Sequence, residues 1–326
     1  TDDVPTAITR IERANLDVLF YADLGMDSVT YALAHSRLAP VQCTTWGHPS
    51  TTGLSTIDYF LSSHLLEIPE ADEHYTERLI RLSCLPTYYV RPTLPTEIRS
   101  RKELGLPRDC HLYLCPQSLF KLHPDFDSIM GGILQSDPQA IIVLIAGLHA
   151  TWEQQVRQRI ARALPDCHER ILIIPRVNAI DFQHLLGCAD VMLDPLHFSG
   201  GNTSYQAFAM GLPIVTLPSQ FMRGRVTAAQ CRLLGLDDLV VSTIDEYVQR
   251  ATAIATHPQY RKSLTAHIRE HNDALFENDD VVTEIQAFME HAVEWHDSHQ
   301  GIRPPLGFAS HQLHPGKTPR AINTGP

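Results

Sequence analysis

The chain has no apolar run near the roughly 20 residues that a bilayer-spanning helix requires, and its start carries no signal-peptide pattern. A membrane role is therefore not expected, and the expected compartment is the cytoplasm. Basic tracts are missing as well: 26 lysines and arginines stand against 37 acidic residues, a net charge of −11. That balance argues against a nucleic-acid partner or an anionic lipid surface, so any phosphate-bearing ligand has to be gripped by a local site. Metal motifs are absent too. The 18 histidines are scattered with no H-E-x-x-H, and the seven cysteines, an odd number, include no C-x-x-C. Cys110 and Cys115 bracket a predicted strand without a zinc spacing, so neither a metal nor a cofactor is expected, and most thiols read as reduced core residues. Neither a Walker loop nor a G-x-G-x-x-G occurs.

What is present is a soluble globular composition, 44% apolar and 19% charged over 326 residues, enough for two ordinary domains. The opening residues, TDDVPTAITRIERANLDVLFYAD, lack a Met and enter at once on a helix leading to a strand, the look of a cut through a longer protein. The rest is organised around VMLDPLHFSGGNTSYQAFAMGLPIVTLP, residues 191–218. It reads as strand 191–193, glycine turn 197–202, helix 203–210 stopped by Gly211-Leu212-Pro213, and strand 214–217. Such a turn aims the first free N–H groups of the helix at one spot, where the helix dipole favours an anion such as a diphosphate. Gly200 and Gly201 let the backbone come close, and Asn202, Thr203 and Ser204 add donors. The same pattern would also serve as a plain crossover in any parallel sheet.

Helices and apolar strands alternate on either side of it. Before a proline-rich linker at 86–95, the spacing predicts helices over 5–14, 28–37 and 72–81 and strands over 18–21, 41–46 and 57–61. After it come strands 111–115, 140–146, 171–174 and 239–241. The helices there are 124–135, 151–164, 180–188, 226–234, 244–255, 259–270 and 281–295. Arginines 157, 159 and 162 are expected on a solvated face. The fold class is therefore α/β, with two doubly wound lobes, and ligands are expected in the cleft between them, at strand C-termini. Three loops qualify: Gly47 to Gly53 with His48, Pro116 to Lys121 with Ser118, and His197 to Ser204. Residues 1–95 are assigned to an N-terminal lobe, 96–275 to a C-terminal lobe, 276–296 to a helix packing back across the lobes, and 297–326 to a disordered tail.

Four blocks, APVQCTTWGHPSTTGLSTIDYF, CPQSLFKLHPDF, LDPLHFSGGNTSYQAFAMGLPIVTLP and RGRVTAAQ, together resemble the catalytic region of the O-GlcNAc transferase/SPINDLY family in its bacterial branch. The resemblance runs in order over most of the chain. It implies a GT-B type, Rossmann-like pair of lobes, the first truncated because the family's lobe starts earlier with a strand and a histidine-bearing glycine turn. It implies an inverting transfer from a UDP-sugar, carrying N-acetylglucosamine or glucose, to a protein Ser or Thr hydroxyl or an Asn amide, with no required metal. Upstream tetratricopeptide repeats that present the acceptor are part of what it implies.

By the same resemblance Lys121 matches the phosphate-binding lysine and His48 the histidine of the W-G-H-P loop beside the sugar and diphosphate. Phe182 falls near the base-stacking position, and the backbone at Val177 would read the pyrimidine edge. Gln206 stands where the family has an acidic residue on the ribose, so one charge-assisted bond is lost there. Arg225, with Arg223, precedes a helix near the same site, where it either assists phosphate or makes a surface ion pair. Alternatives are a GDP-fucose donor, a glycan or small-molecule acceptor, or a catalytically silent nucleotide-binding or interaction module.

Overall fold

Asp3 caps the first helix by accepting a hydrogen bond from the Thr6 amide at 3.0 Å, and Pro5 sits in the first turn, where its missing N–H is harmless. In the computed structural model, which describes residues 3–299, that helix is α1, Val4–Ala14. It leads to β1 (Val18–Tyr21), α2 (Ser28–Ala34), β2 (Val41–Thr45), β3 (Tyr59–Ser63) and β4 (Arg78–Leu82). The four strands form one sheet in the order β1-β2-β3-β4, all parallel. Residues 72–81, expected as a helix, instead make a short 3₁₀ turn, Ala71–His74, and β4. Pairing of β4 with β3, from Tyr59 opposite Arg78 to Ser63 opposite Leu82, outweighs the marginal stability of a short isolated helix.

The chain divides between Tyr88 and Tyr89, inside the proline-rich stretch, and again between Glu277 and Asn278. The unit Tyr89–Glu277 contains β5 (His111–Cys115), α3 (Asp125–Ser136), β6 (Ala140–Ile145), α4 (Ala150–Ala163) and β7 (Ile171–Ile174). It continues with α5 (Ala179–Cys188), β8 (Val191–Leu193), α6 (Asn202–Met210), β9 (Ile214–Val215), α7 (Val226–Leu233), α8 (Ile244–Thr256) and α9 (Pro258–His271). Its sheet, again all parallel, has the order β7-β6-β5-β8-β9. The strand expected at 239–241 is reduced to one bridge, Thr216 with Val240, after a 3₁₀ turn at Asp237–Leu239. Arg159, expected in solvent, is forked onto buried Asp127 at 2.9 Å from both Nε and Nη2, and Nη1 donates to the Leu122 carbonyl at 2.7 Å. It ties α4 to α3 because a buried carboxylate demands a partner.

The last helix, α10 (Asp279–Ser298), belongs with the first unit. Strand alternation gives the first sheet two apolar faces. One, with Leu19 and Tyr21 of β1, is covered by Ile8 and Ile11 of α1 and Leu33 of α2; the other carries Val41, Cys43, Tyr59, Leu61, Ile80 and Leu82 and is covered by Val281, Phe288 and Ala292 of α10. Buried Glu284 accepts from the Ser83 amide at 2.8 Å and from the Ser83 hydroxyl, pinning the helix to the strand end. The helix runs through Asp297 and Ser298, where the tail was expected to begin; the remainder of that expected tail, from Gln300 on, lies outside the described residues. The seven cysteines are free thiols. Among the described residues, no helix is long and apolar enough to cross a membrane. Phe288, 3% exposed and edge-on to Tyr59, is the anchor of this contact. Phe288→Ala is expected to destabilise the first unit by about 3–5 kcal/mol, read as an earlier urea transition than that of the second unit.

Candidate active site

In the second unit the sheet grows outward in one direction from β5 through β6 to β7, then restarts on the other side with β8 and β9. The connections leaving β5 and β8 therefore part company, opening a crevice at their C-terminal ends, the position where such sheets take ligands. Two of the expected loops lie there, residues 116–121 after β5 and residues 194–201 after β8.

Asp194 directly follows β8 and is 2% exposed. Its Oδ1 accepts from the Gly200 amide at 2.7 Å, and its Oδ2 accepts from the hydroxyls of Ser199 at 2.8 Å and Thr216 at 2.7 Å. Desolvation raises its pKa, and the hydrogen bonds from Gly200, Thr216 and Ser199 oppose that shift. The carboxylate thus folds residues 195–200 back over the strand end. Beneath the loop, the Thr227 hydroxyl bonds those of Ser199 and Ser204, each at 2.8 Å. Ser204, expected to reach the ligand, is fully buried in this network and supports the loop from below. A Cβ on Gly200 would overlap the Ser204 hydroxyl and come within 2.7 Å of Gln117 Nε2, so only glycine leaves this surface bare.

Lys121 closes a 3₁₀ turn, Leu119–Lys121, and points at that loop. Its Nζ donates to the Ser199 carbonyl at 3.2 Å and to Gln117 Oε1 at 3.3 Å, and lies 4.3 Å from the centre of the Phe198 ring. Burial lowers its pKa, while the Asp194 charge pulls it back up. Gln117 passes the contact on, since its Nε2 donates to the Thr203 hydroxyl. Lys121 and the start of α6 are thereby joined through one amide side chain. Gly201 is the helix N-cap, and Asn202 there is exposed. Helix geometry leaves the amides of Asn202 and Thr203 without an intrahelical acceptor. A cation, bare glycine backbone and two forward-facing amides at one corner can neutralise a diphosphate.

Beside this corner is a cavity of about 330 Å³ at the ends of β5, β6 and β7, lined among others by Ser118, Phe120, Trp152, Arg176, Val177 and Phe182. Phe182, in the first turns of α5, is half-buried, and Phe120 meets Trp152 edge-on at 5.5 Å. An aromatic wall with polar backbone at one side suits a planar heterocycle. Gln206, on α6, turns its side chain to the Tyr89 hydroxyl, and Tyr89 stacks on Tyr205 with ring centroids 4.0 Å apart. Arg225 donates to the Ser219 carbonyl at 3.0 Å, and the neighbouring Arg223 carbonyl accepts from the Ser199 amide at 2.7 Å. That segment therefore buttresses the loop.

His48 belongs to the other unit, in the loop after β2. Its ring lies on Gly25, whose φ is +110° and where a Cβ would stand 2.7 Å from His48 Cδ2. The Nδ1 of His48 is buried without a hydrogen-bond partner. The hydroxyls of Thr51 and Thr52, expected to face a cleft, are spent on buried Glu77, with Thr51 Oγ1 at 2.7 Å. Sequence reasoning missed Asp194, Gln117 and Tyr89. The only signal for Asp194 was a carboxylate directly after the buried run Val191–Leu193.

Two α/β units, each built on an all-parallel sheet, are the architecture of the GT-B fold class. The chain belongs to glycosyl transferase family 41, which it matches over residues 91–285. It is 27% identical over 242 residues, 71% of this chain and 24% of the other, to the probable UDP-N-acetylglucosamine–peptide N-acetylglucosaminyltransferase SEC of Arabidopsis thaliana. It is 26% identical over 278 residues, 83% of this chain and 44% of the other, to the UDP-glucose:protein N-beta-glucosyltransferase of Actinobacillus pleuropneumoniae. Among solved structures, an O-GlcNAc transferase mutant from Thermobaculum terrenum superposes with a TM-score of 0.78 at 26% identity, covering 92% of this chain and 56% of that one. The chain spans about a quarter of the length of its plant relatives.

Asp194→Asn puts an amide where several donors converge, and is expected to destabilise the second unit by about 1–3 kcal/mol in chemical denaturation. Gly200→Ala should push the Ser204 hydroxyl out of its network with Thr227 and lower the midpoint of chemical denaturation of the second unit.

Proposed function

We propose that this chain carries the donor-binding and catalytic part of an inverting, metal-independent glycosyltransferase that moves N-acetylglucosamine or glucose from a UDP-sugar to a protein acceptor. The observation that carries this reading is the link from Lys121 through Gln117 to Thr203, which sets a cation and a helix N-terminus around one anion-sized corner. The names of the relatives, which specify UDP-N-acetylglucosamine or UDP-glucose and peptide or protein acceptors, support the donor and acceptor classes.

In this reading the uracil enters the cavity against Phe182, the Val177 backbone meets its edge, and the ribose approaches Gln206. The diphosphate lies between Lys121 and the amides of Asn202 and Thr203. The acceptor atom attacks the anomeric carbon from the face opposite UDP. The bond to the β-phosphate oxygen breaks, its electron pair leaves with UDP, and the acceptor's proton passes to solvent water. Negative charge grows on the β-phosphate as this happens, and the protein donors meet it without an ion.

Lys121→Ala is expected to lower turnover by roughly 10²–10³-fold with the fold unchanged, the scale for losing one donor to developing charge. Equal turnover in mutant and wild type would overturn the reading. UDP should bind more tightly than GDP in calorimetry, and turnover should persist in a chelator. Gln206→Glu should tighten UDP binding by about 1–2 kcal/mol by restoring a charge-assisted bond to the ribose.

The pH dependence follows from Lys121. Burial favours its neutral amine in the free protein, and a bound diphosphate favours the ammonium. UDP affinity should therefore fall with rising pH before the ordinary lysine value of about 10.4 is reached. Over that range binding should take up a proton, seen as a buffer-dependent enthalpy, and Lys121→Met should abolish the uptake.

A further inference from the structure

Three exposed side chains that the proposed transfer does not use meet at one point. His123 follows Lys121 by two residues, Asp125 opens α3, and His197 lies in the loop after β8. Asp125 Oδ2 is 2.8 Å from His197 Nε2 and 3.2 Å from His123 Nδ1. The imidazole rings stand edge to face with centroids 4.7 Å apart, and one donor atom from each of the three residues lies within 4.8 Å of the others. About half of each side chain faces solvent, so water can complete a coordination shell.

The backbone adds a second observation. His197 has φ +69°, a left-handed conformation that a residue with a β-carbon adopts at a cost of about 1–3 kcal/mol unless its surroundings enforce it. Here the strained residue is the one whose ring reaches across to Asp125. Two imidazoles and one carboxylate with open positions form a nitrogen-rich set that suits zinc and its neighbours, while magnesium and calcium prefer oxygen ligands.

We propose that His123, Asp125 and His197 form a surface site for a zinc-class divalent ion, which clamps the segment carrying Lys121 to the loop carrying Phe198 and Ser199. The ion supplies no charge to the reaction. It fixes the two pieces of chain whose contact is the Lys121 ammonium on the Ser199 carbonyl and the Phe198 ring. The linear sequence hid the site because its histidines are far apart and match no spacing motif. The inference does not depend on the glycosyl transfer, which is proposed to run in a chelator.

The test is a zinc titration of the chelator-treated full chain in competition with a chromophoric indicator. His197→Asn and Asp125→Asn are the variants, since asparagine tolerates the left-handed backbone at 197 and keeps the first-turn shape at 125. One tight equivalent is expected for the wild type, weakened on the order of 100-fold in each variant, in line with the loss of a ligand. Cobalt should give visible bands in the wild type that both variants lose. Zinc should also slow amide exchange in residues 196–201 of the wild type alone. Equal zinc affinity in wild type and variants, or no tight equivalent at all, overturns the site; tight binding with unchanged exchange in that loop overturns the clamp.

Discussion

A carboxylate placed in a dry interior has to be surrounded by donors or given up, and the architecture of this site follows from how Asp194 is surrounded. Three of its partners come from the loop and strand next to it: the Gly200 amide, the Ser199 hydroxyl and the Thr216 hydroxyl. Its backbone carbonyl is held from α8 by the Tyr247 hydroxyl at 3.0 Å. Satisfying that one charge bends the loop after β8 into the shape that presents glycine backbone and the start of α6. The same charge offsets part of the desolvation of Lys121, so the cation of the site is retained partly by a group the ligand never meets.

Each function at the corner is divided between a residue that faces outward and one that holds it. Gln117 accepts from Lys121 and donates to Thr203, so neither the cation nor the helix end can shift alone. Thr227 serves two serines at once. Tyr89 stacks on Tyr205 and turns its hydroxyl to Gln206, which places the proposed ribose contact beneath an aromatic lid from the linker. Such supporting shells matter because a site displaced by an ångström loses much of its electrostatic advantage.

Much of this was legible in order along the chain. The run Val191–Leu193, the Gly200-Gly201 turn and the stop at Gly211 each carry a local rule, and the structure places a strand, a loop and a helix there. Lys121 was singled out through its motif, and its ammonium lies on the Ser199 carbonyl and on Gln117, which in turn reaches Thr203. What was not legible depends on partners distant in sequence. Arg159 reads as a solvated arginine until Asp127 is known to be buried beside it. The loop Gly47 to Gly53 reads as a ligand loop, but Glu77 takes up the hydroxyls of its Thr51 and Thr52. Residues 78–82 have apolar spacing that a helix would also satisfy, and only the neighbour β3 decides for a strand. Asp194 itself looks like a loop residue, because burial of a charge cannot be inferred without the donors that make it tolerable.

The return of α10 to the first sheet makes the second unit an insertion within the first. Tyr89 and Glu277, the residues at its two ends, are joined by a backbone hydrogen bond of 2.9 Å, so the insert begins and finishes at one point. A ribosome delivers β1 to β4 first and the helix that covers Val41, Tyr59 and Leu61 only after the whole insert has emerged. Vectorial synthesis therefore favours the inserted unit as the earlier to mature, leaving one side of the earlier-made sheet waiting, apolar and uncovered, for the last helix.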